Sequence, residues 1–234
     1  HVAFSVSAPR PAESAKGLAI IQIYYIFVHK HIGKMNKHGK IMEYIRSSGV
    51  VRPRELISLG ADPSWLHLLA KQGELERVGR GIYRSTKGPE ASQHLALAEL
   101  SKQIPAGTVC LLSALNFHGI GTQLPYESWM ALPAGSWVPK RPAWPLRILH
   151  FSGDAYSEGV EIHIIDGVPV RIYGVEKTVT DCFKFRNKLG LDVALEALRE
   201  GRRKKSFSMD ELWRYAKICR VSRVMKPYLE SLDD

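Results

Sequence analysis

Between residues 41 and 85 the apolar positions recur first at helical and then at strand spacing. Ile41, Met42, Tyr44 and Ile45 predict a first helix that ends near Ser47-Ser48-Gly49. Val50-Val51 follow as an apolar pair suited to a small core or to pairing with a later strand. Pro53 suits the first turn of a second helix, Arg54 to Leu59, closed by Gly60. Asp62 as N-cap and Pro63 as first residue open a third helix that runs to Gln72. On it Trp65, Leu68, Leu69 and Gln72 share the face expected in the core, while Ser64, His67 and Lys71 share the other. Gly73 to Ser85 then reads as two short strands joined at Gly79-Arg80-Gly81, where both glycines permit the positive φ of a tight hairpin. Leu75 and Val78 differ in parity, so a bulge or strong twist near Arg77 is expected.

Ser85 to Pro89 reads as a linker and Ala91 to Ile104 as a helix stopped by Pro105-Ala-Gly107. Thr108 to Gly119 is a short strand turning into a helix capped at Gly119. Strand-like runs follow at 129–132, 146–151, 160–165 and 168–173, the last two joined by the turn residues Asp166-Gly167. Pro133, Pro139, Pro142 and Pro145 make the segment between the first two a loop. The tail is helical at 176–188, 192–201 and 209–219, with Ser208 and Glu211 spaced as a capping box. The expected class is α+β: an N-terminal winged helix-turn-helix at 35–88, then a mixed α/β domain with a helical tail at 89–234.

Residues 1–34 fit neither part. They are Ser/Ala/Pro-rich and then apolar from Leu18 to Val28, too short to span a bilayer as a helix. Basic residues follow that run instead of preceding it, unlike a secretory signal. We expect a natural start at Met35 and a non-native or disordered leader before it, the alternative being a strand or membrane-surface anchor. Cys110, Cys182 and Cys219 are odd in number, without metal-ligand spacing, which suits a reducing cytoplasmic setting.

Charge narrows the function. The net charge is +10, and it is concentrated: residues 35–88 hold ten Lys/Arg against five Asp/Glu, and residues 201–226 hold nine against two. Three helices and an arginine-tipped hairpin within such a segment point to double-stranded DNA. The expected DNA contacts are Arg52, Arg54, Ser64, His67, Lys71, Arg77, Arg80 and Arg84. A winged helix used for protein contact remains the alternative. A second basic patch, Arg202, Arg203, Lys204, Lys205, Arg214 and Lys217, is open to DNA, RNA, an acidic partner or plain solvation. Enzyme readings are weak. Asp154, Glu161 and His163 are the nearest set for a metal-dependent nuclease, and the chain has neither a Walker loop nor a Gly-x-Ser-x-Gly elbow. No catalytic residue, cofactor or metal is expected.

Three segments in order resemble the AbiEi family, antitoxins and autoregulators of type IV toxin–antitoxin systems. They are the hairpin Gly73 to Tyr83, the segment Leu112 to Gly119 and the segment Val175 to Asp181. The resemblance implies a non-enzymatic protein of abortive infection and phage defence. Its winged helix would bind inverted repeats in its own promoter, as two copies, and repress the operon. Its C-terminal domain would counteract a nucleotidyltransferase toxin without a stable complex. That role would fall around Ser113, His118, Glu176, Lys177 and Asp181, for which a purely structural role is the competing expectation. The alternatives are a repressor unrelated to a toxin and a nuclease-like enzyme.

Overall fold

A computed structural model describes residues 37–86 and 92–231. The expected leader 1–34, the start at Met35 and most of the linker lie outside them. The spacing of Ile41 and Ile45 becomes helix α1 (Lys37–Ser48), followed by strand β1 (Val50–Val51) and helices α2 (Pro53–Ser58) and α3 (Pro63–Lys71). Strands β2 (Leu75–Gly79) and β3 (Ile82–Ser85) form the hairpin, and β1 pairs with β3 to complete a three-stranded sheet ordered β1-β3-β2. Ile41, Ile45, Val51, Leu56, Leu66, Leu69, Leu75 and Tyr83 fill the core between helices and hairpin. The register shifts between Arg77 and Gly79, which resolves the parity conflict of Leu75 and Val78.

Two details of this module differ from expectation. Leu66 is buried beside Leu69, whereas Leu68 is 47% exposed and joins the face of Ser64, His67 and Lys71. Positions 65 and 69 neighbour both faces, and the packing of α3 on β2 selects 66 instead of 68. At the hairpin tip Gly81 has φ +68, but Gly79 does not take a positive φ. Gly79 instead lies close to Gln103: a Cβ there would meet the Gln103 side-chain amide, which would have to shift.

The rest of the chain adds α4 (Leu95–Gln103), β4 (Thr108–Val109), α5 (Leu111–Phe117), β5 (Ser128–Pro133), β6 (Leu146–Phe151), α6 (Asp154–Ser157), β7 (Val160–Ile165) and β8 (Val168–Tyr173). The tail comprises α7 (Val175–Lys184), α8 (Arg186–Leu189), α9 (Leu191–Arg203), α10 (Met209–Ile218) and α11 (Ser222–Glu230). The five strands form a mixed sheet ordered β6-β5-β4-β8-β7, with β5 parallel to β6 and β4 parallel to β8. Alternation along β5 sends Trp129 and Ala131 to one face and Met130 and Leu132 to the other, so the sheet is covered on both sides. The tail helices pack on the first face. Helix α4 packs on the second, together with Val50 and Ile82 of the small sheet. The two modules therefore share apolar core.

Their junction is tight elsewhere too. The β7–β8 turn, with Asp166 at φ +47 and Gly167 at φ +72, presses on the end of α1. A Cβ on Gly167 would run into the Ser47 carbonyl oxygen and Ser48. Lys102 reaches back to both Glu55 oxygens, at 2.7 and 2.8 Å. In the tail, the expected Ser208–Glu211 capping box does not form. The Ser208 side chain caps nothing, its backbone N–H donates to Glu176 at 3.2 Å, and Glu211 binds Arg214 instead. Helices α6 and α11 were not expected, and the second carries Pro227 inside it.

Candidate nucleic-acid interface

Helix α3 starts where the sequence places it. Asp62 accepts the backbone N–H of Ser64 at 2.8 Å, and Pro63 occupies the first turn. This fixes the helix end, and Ser64, His67, Leu68 and Lys71 stand exposed along one face. The face is short, polar and basic, with one apolar member.

The arginines around it do four different things. Arg80 sits exposed at the hairpin turn. Arg77 is exposed and donates its Nε–H to the Gly79 carbonyl at 3.3 Å, which stiffens the tip. Arg84 is committed internally, to Glu76 at 2.6 Å and Glu99 at 3.3 Å, and the bond to Glu76 holds its pKa above the ordinary value. Arg52 is half-buried at the start of α2. Burial lowers its pKa first, the neighbouring Arg54 adds to that, and Glu55 opposes it. Arg54 itself is exposed. Of the eight residues expected to meet DNA, Arg54, Ser64, His67, Lys71, Arg77 and Arg80 are open to solvent, while Arg52 and Arg84 are partly withdrawn.

The Ser113-to-His118 and Glu176-to-Asp181 segments come together around the start of α7. Ser113 Oγ accepts the backbone N–H of Trp129 at 2.9 Å, tying α5 to β5. His118 Nε2 donates to the Tyr173 carbonyl at 2.8 Å. Lys177 and Asp181 form an ion pair one helical turn apart on α7, and both are fully buried. The Lys177 ammonium lies 4.2 Å from the Tyr173 ring centre and 4.9 Å from that of Phe151. Cys219 donates its thiol to Asp181 at 3.3 Å. Burial pushes the Asp181 carboxyl above its ordinary pKa, against the pull of Lys177 and Cys219. Glu176 faces outward to the Ser208 N–H. Lys177 and Asp181 pair within α7, while the Tyr173 and Phe151 rings over Lys177 and the Cys219 thiol on Asp181 tie α7 to the sheet and to the end of α10.

The second basic patch is largely paired. Arg214 binds Glu211 at 2.8 Å and Glu158 at 3.1 Å, and Arg203 and Lys204 bind Glu200 at 3.3 and 2.8 Å. Arg202, Arg203, Lys204, Lys205, Arg214 and Lys217 are nonetheless on the surface. The nuclease candidates separate: His163 Nε2 lies 2.9 Å from Glu161, while Asp154 opens α6. Among the described residues no group of three or more His, Cys, Asp or Glu is arranged to hold a metal ion. All three cysteines are free and buried. No helix among the described residues is long and apolar enough to cross a membrane.

Known proteins add three findings. The crystal structure of the RV2827C protein from Mycobacterium tuberculosis superposes with a TM-score of 0.53 at 15% identity, over 76% of this chain and 69% of that one, a likeness of fold. No curated protein matches the chain. Residues 40–86, from α1 through the hairpin, match the family model described as transcriptional regulator, AbiEi antitoxin, a likeness confined to this helix-and-hairpin segment.

Proposed function

We propose that the chain is a DNA-binding transcriptional regulator and the antitoxin of a type IV toxin–antitoxin pair, working in the cytoplasm. Residues 37–86 act as a winged helix-turn-helix, with α3 as the groove-reading helix and β2–β3 as the wing. The observation that carries this reading is the exposed face of Ser64, His67 and Lys71 beside an exposed Arg80 at the wing tip, within the family-matched segment. Two copies would bind inverted repeats in the promoter of the chain's own operon and repress it. The domain from residue 89 onward would counteract a nucleotidyltransferase toxin encoded alongside, without a lasting complex. The family match stops at residue 86, which favours a second reading, a repressor with no toxin partner.

Fluorescence anisotropy with a duplex of the DNA upstream of the gene tests the DNA role. Arg80→Ala and Lys71→Ala should each weaken binding and lower the slope of log affinity against log salt by about 0.9. Unchanged slopes in both would refute the interface. Co-expression with the adjacent gene tests the toxin role, with growth rescue as the expected result and no rescue favouring the second reading.

A further inference from the structure

The proline-rich segment between β5 and β6 runs back toward the hairpin. Together they line a cleft of about 1040 Å³. Its walls carry Arg52, Arg77 and Arg80 from the N-terminal module and Lys140 and Arg141 from the segment, with no carboxylate among the lining residues. Arg80, Lys140 and Arg141 are exposed and have no ion-pair partner among the described residues. Trp137 stands at the same cleft, 71% exposed, although a large indole is ordinarily withdrawn from water. The cleft is also held in shape. Ala143 donates its backbone N–H to Gln103 at 3.0 Å, Trp144 donates its indole N–H to Glu99 at 2.7 Å, and Val138 packs into the shared core. The hairpin meets the same two side chains of α4, through Gly79 against Gln103 and Arg84 on Glu99. Both walls are therefore anchored to one helix.

Five basic side chains lining one hollow, with no carboxylate among the lining residues, suit a polyanion, and their spread over two walls suits an extended strand of phosphates better than a compact anion. We propose that this cleft receives a sugar–phosphate strand of duplex DNA adjoining the wing, so that the second module contributes Lys140, Arg141 and Trp137 to the DNA footprint. The proposal rests on the DNA-binding reading of the hairpin and extends it to residues outside the matched segment. Lys140 and Arg141 neutralise backbone phosphates, a contact that carries no sequence information. Trp137 packs its ring against the sugars at the edge of the strand. The DNA is thereby held from two sides by groups rigidly fixed to each other.

The test compares the full chain with Lys140→Gln/Arg141→Gln, Trp137→Ala and Arg80→Ala, on a labelled 30-base-pair duplex from upstream of the gene, a scrambled duplex and the corresponding single strand. The double variant should lose about tenfold in affinity at 0.15 M salt, equally on both duplexes, with the salt slope reduced by about 1.8. Trp137→Ala should weaken duplex binding with the slope unchanged. Urea midpoints equal to that of the parent keep these losses from reflecting unfolding. If Arg80→Ala weakens binding while the double variant does not, the cleft proposal falls and the wing assignment stands. If neither changes duplex binding, both fall. Tighter binding to the single strand, lost in the double variant, would overturn the duplex assignment for the cleft.

Discussion

Trp144 donates its indole N–H to Glu99 at 2.7 Å, and the same buried carboxylate takes the Arg84 guanidinium at 3.3 Å. One side chain on α4 thus joins the hairpin of the first module to the proline-rich segment of the second. Glu99→Ala leaves the Trp144 indole N–H, on a residue 37% exposed, and the partly buried Arg84 guanidinium each short of an acceptor. The expected cost is about 1–3 kcal/mol of unfolding free energy, read as a lowered urea midpoint. Glu99→Gln keeps an acceptor for Trp144 and should lose less.

Arg84 and Arg80 should separate in experiment although both flank the same turn. Arg84 already spends its donors on Glu76 and Glu99. Arg84→Ala should lower stability by about 1 kcal/mol and leave the salt slope of DNA binding unchanged. A slope that falls by as much as in Arg80→Ala would place Arg84 at the DNA after all.

The contrast marks what sequence reasoning reaches. The Asp166-Gly167 turn and the Asp62-Pro63 helix start were legible because their chemistry is local. The burial of Leu66 in place of Leu68 was not, since both fit a helical stripe and only contact with β2 chooses between them. Strand β4 is two residues long, yet lies at the centre of the large sheet, an order no periodicity encodes. The basic cleft was invisible for a similar reason. Arg80 and Arg141 are far apart in the chain and line one cleft only because hairpin and loop both dock on α4. The exposure of Ser64, His67 and Lys71 on α3 and of Arg80 at the hairpin tip was legible, but the internal commitment of Arg84 depended on Glu99, beyond the linker.

Lys177 and Asp181 are the most deeply placed charges among the described residues, and their pairing predicts a sharp asymmetry. Lys177→Met leaves a buried carboxylate with only the Cys219 thiol, and should cost about 3–5 kcal/mol. The double variant Lys177→Met/Asp181→Leu removes both charges and should recover much of that loss. Urea unfolding of the two variants measures the difference. If Lys177→Met is mild, the pair is not holding α7 in place.

His118 supplies a pH dependence whose sign follows from its surroundings. Burial lowers its pKa from the ordinary 6.5, while the Tyr173 carbonyl and Glu161 partly oppose and His163 adds to the shift. The folded state therefore disfavours the protonated ring relative to the unfolded chain. Its contribution to stability is complete above pH 6.5 and is lost as pH falls from there to the depressed folded value. Glu161 acts in a lower window. The hydrogen bond with His163 depresses its pKa from 4.5, so its contribution is present above that value and disappears as pH falls through the folded one. Unfolding free energy measured from pH 7.5 to 5.5 should decline in the parent protein. In His118→Gln, which keeps an N–H donor for Tyr173 but cannot titrate, the decline should be shallower. Parallel profiles for the two proteins would show that His118 does not shift on folding.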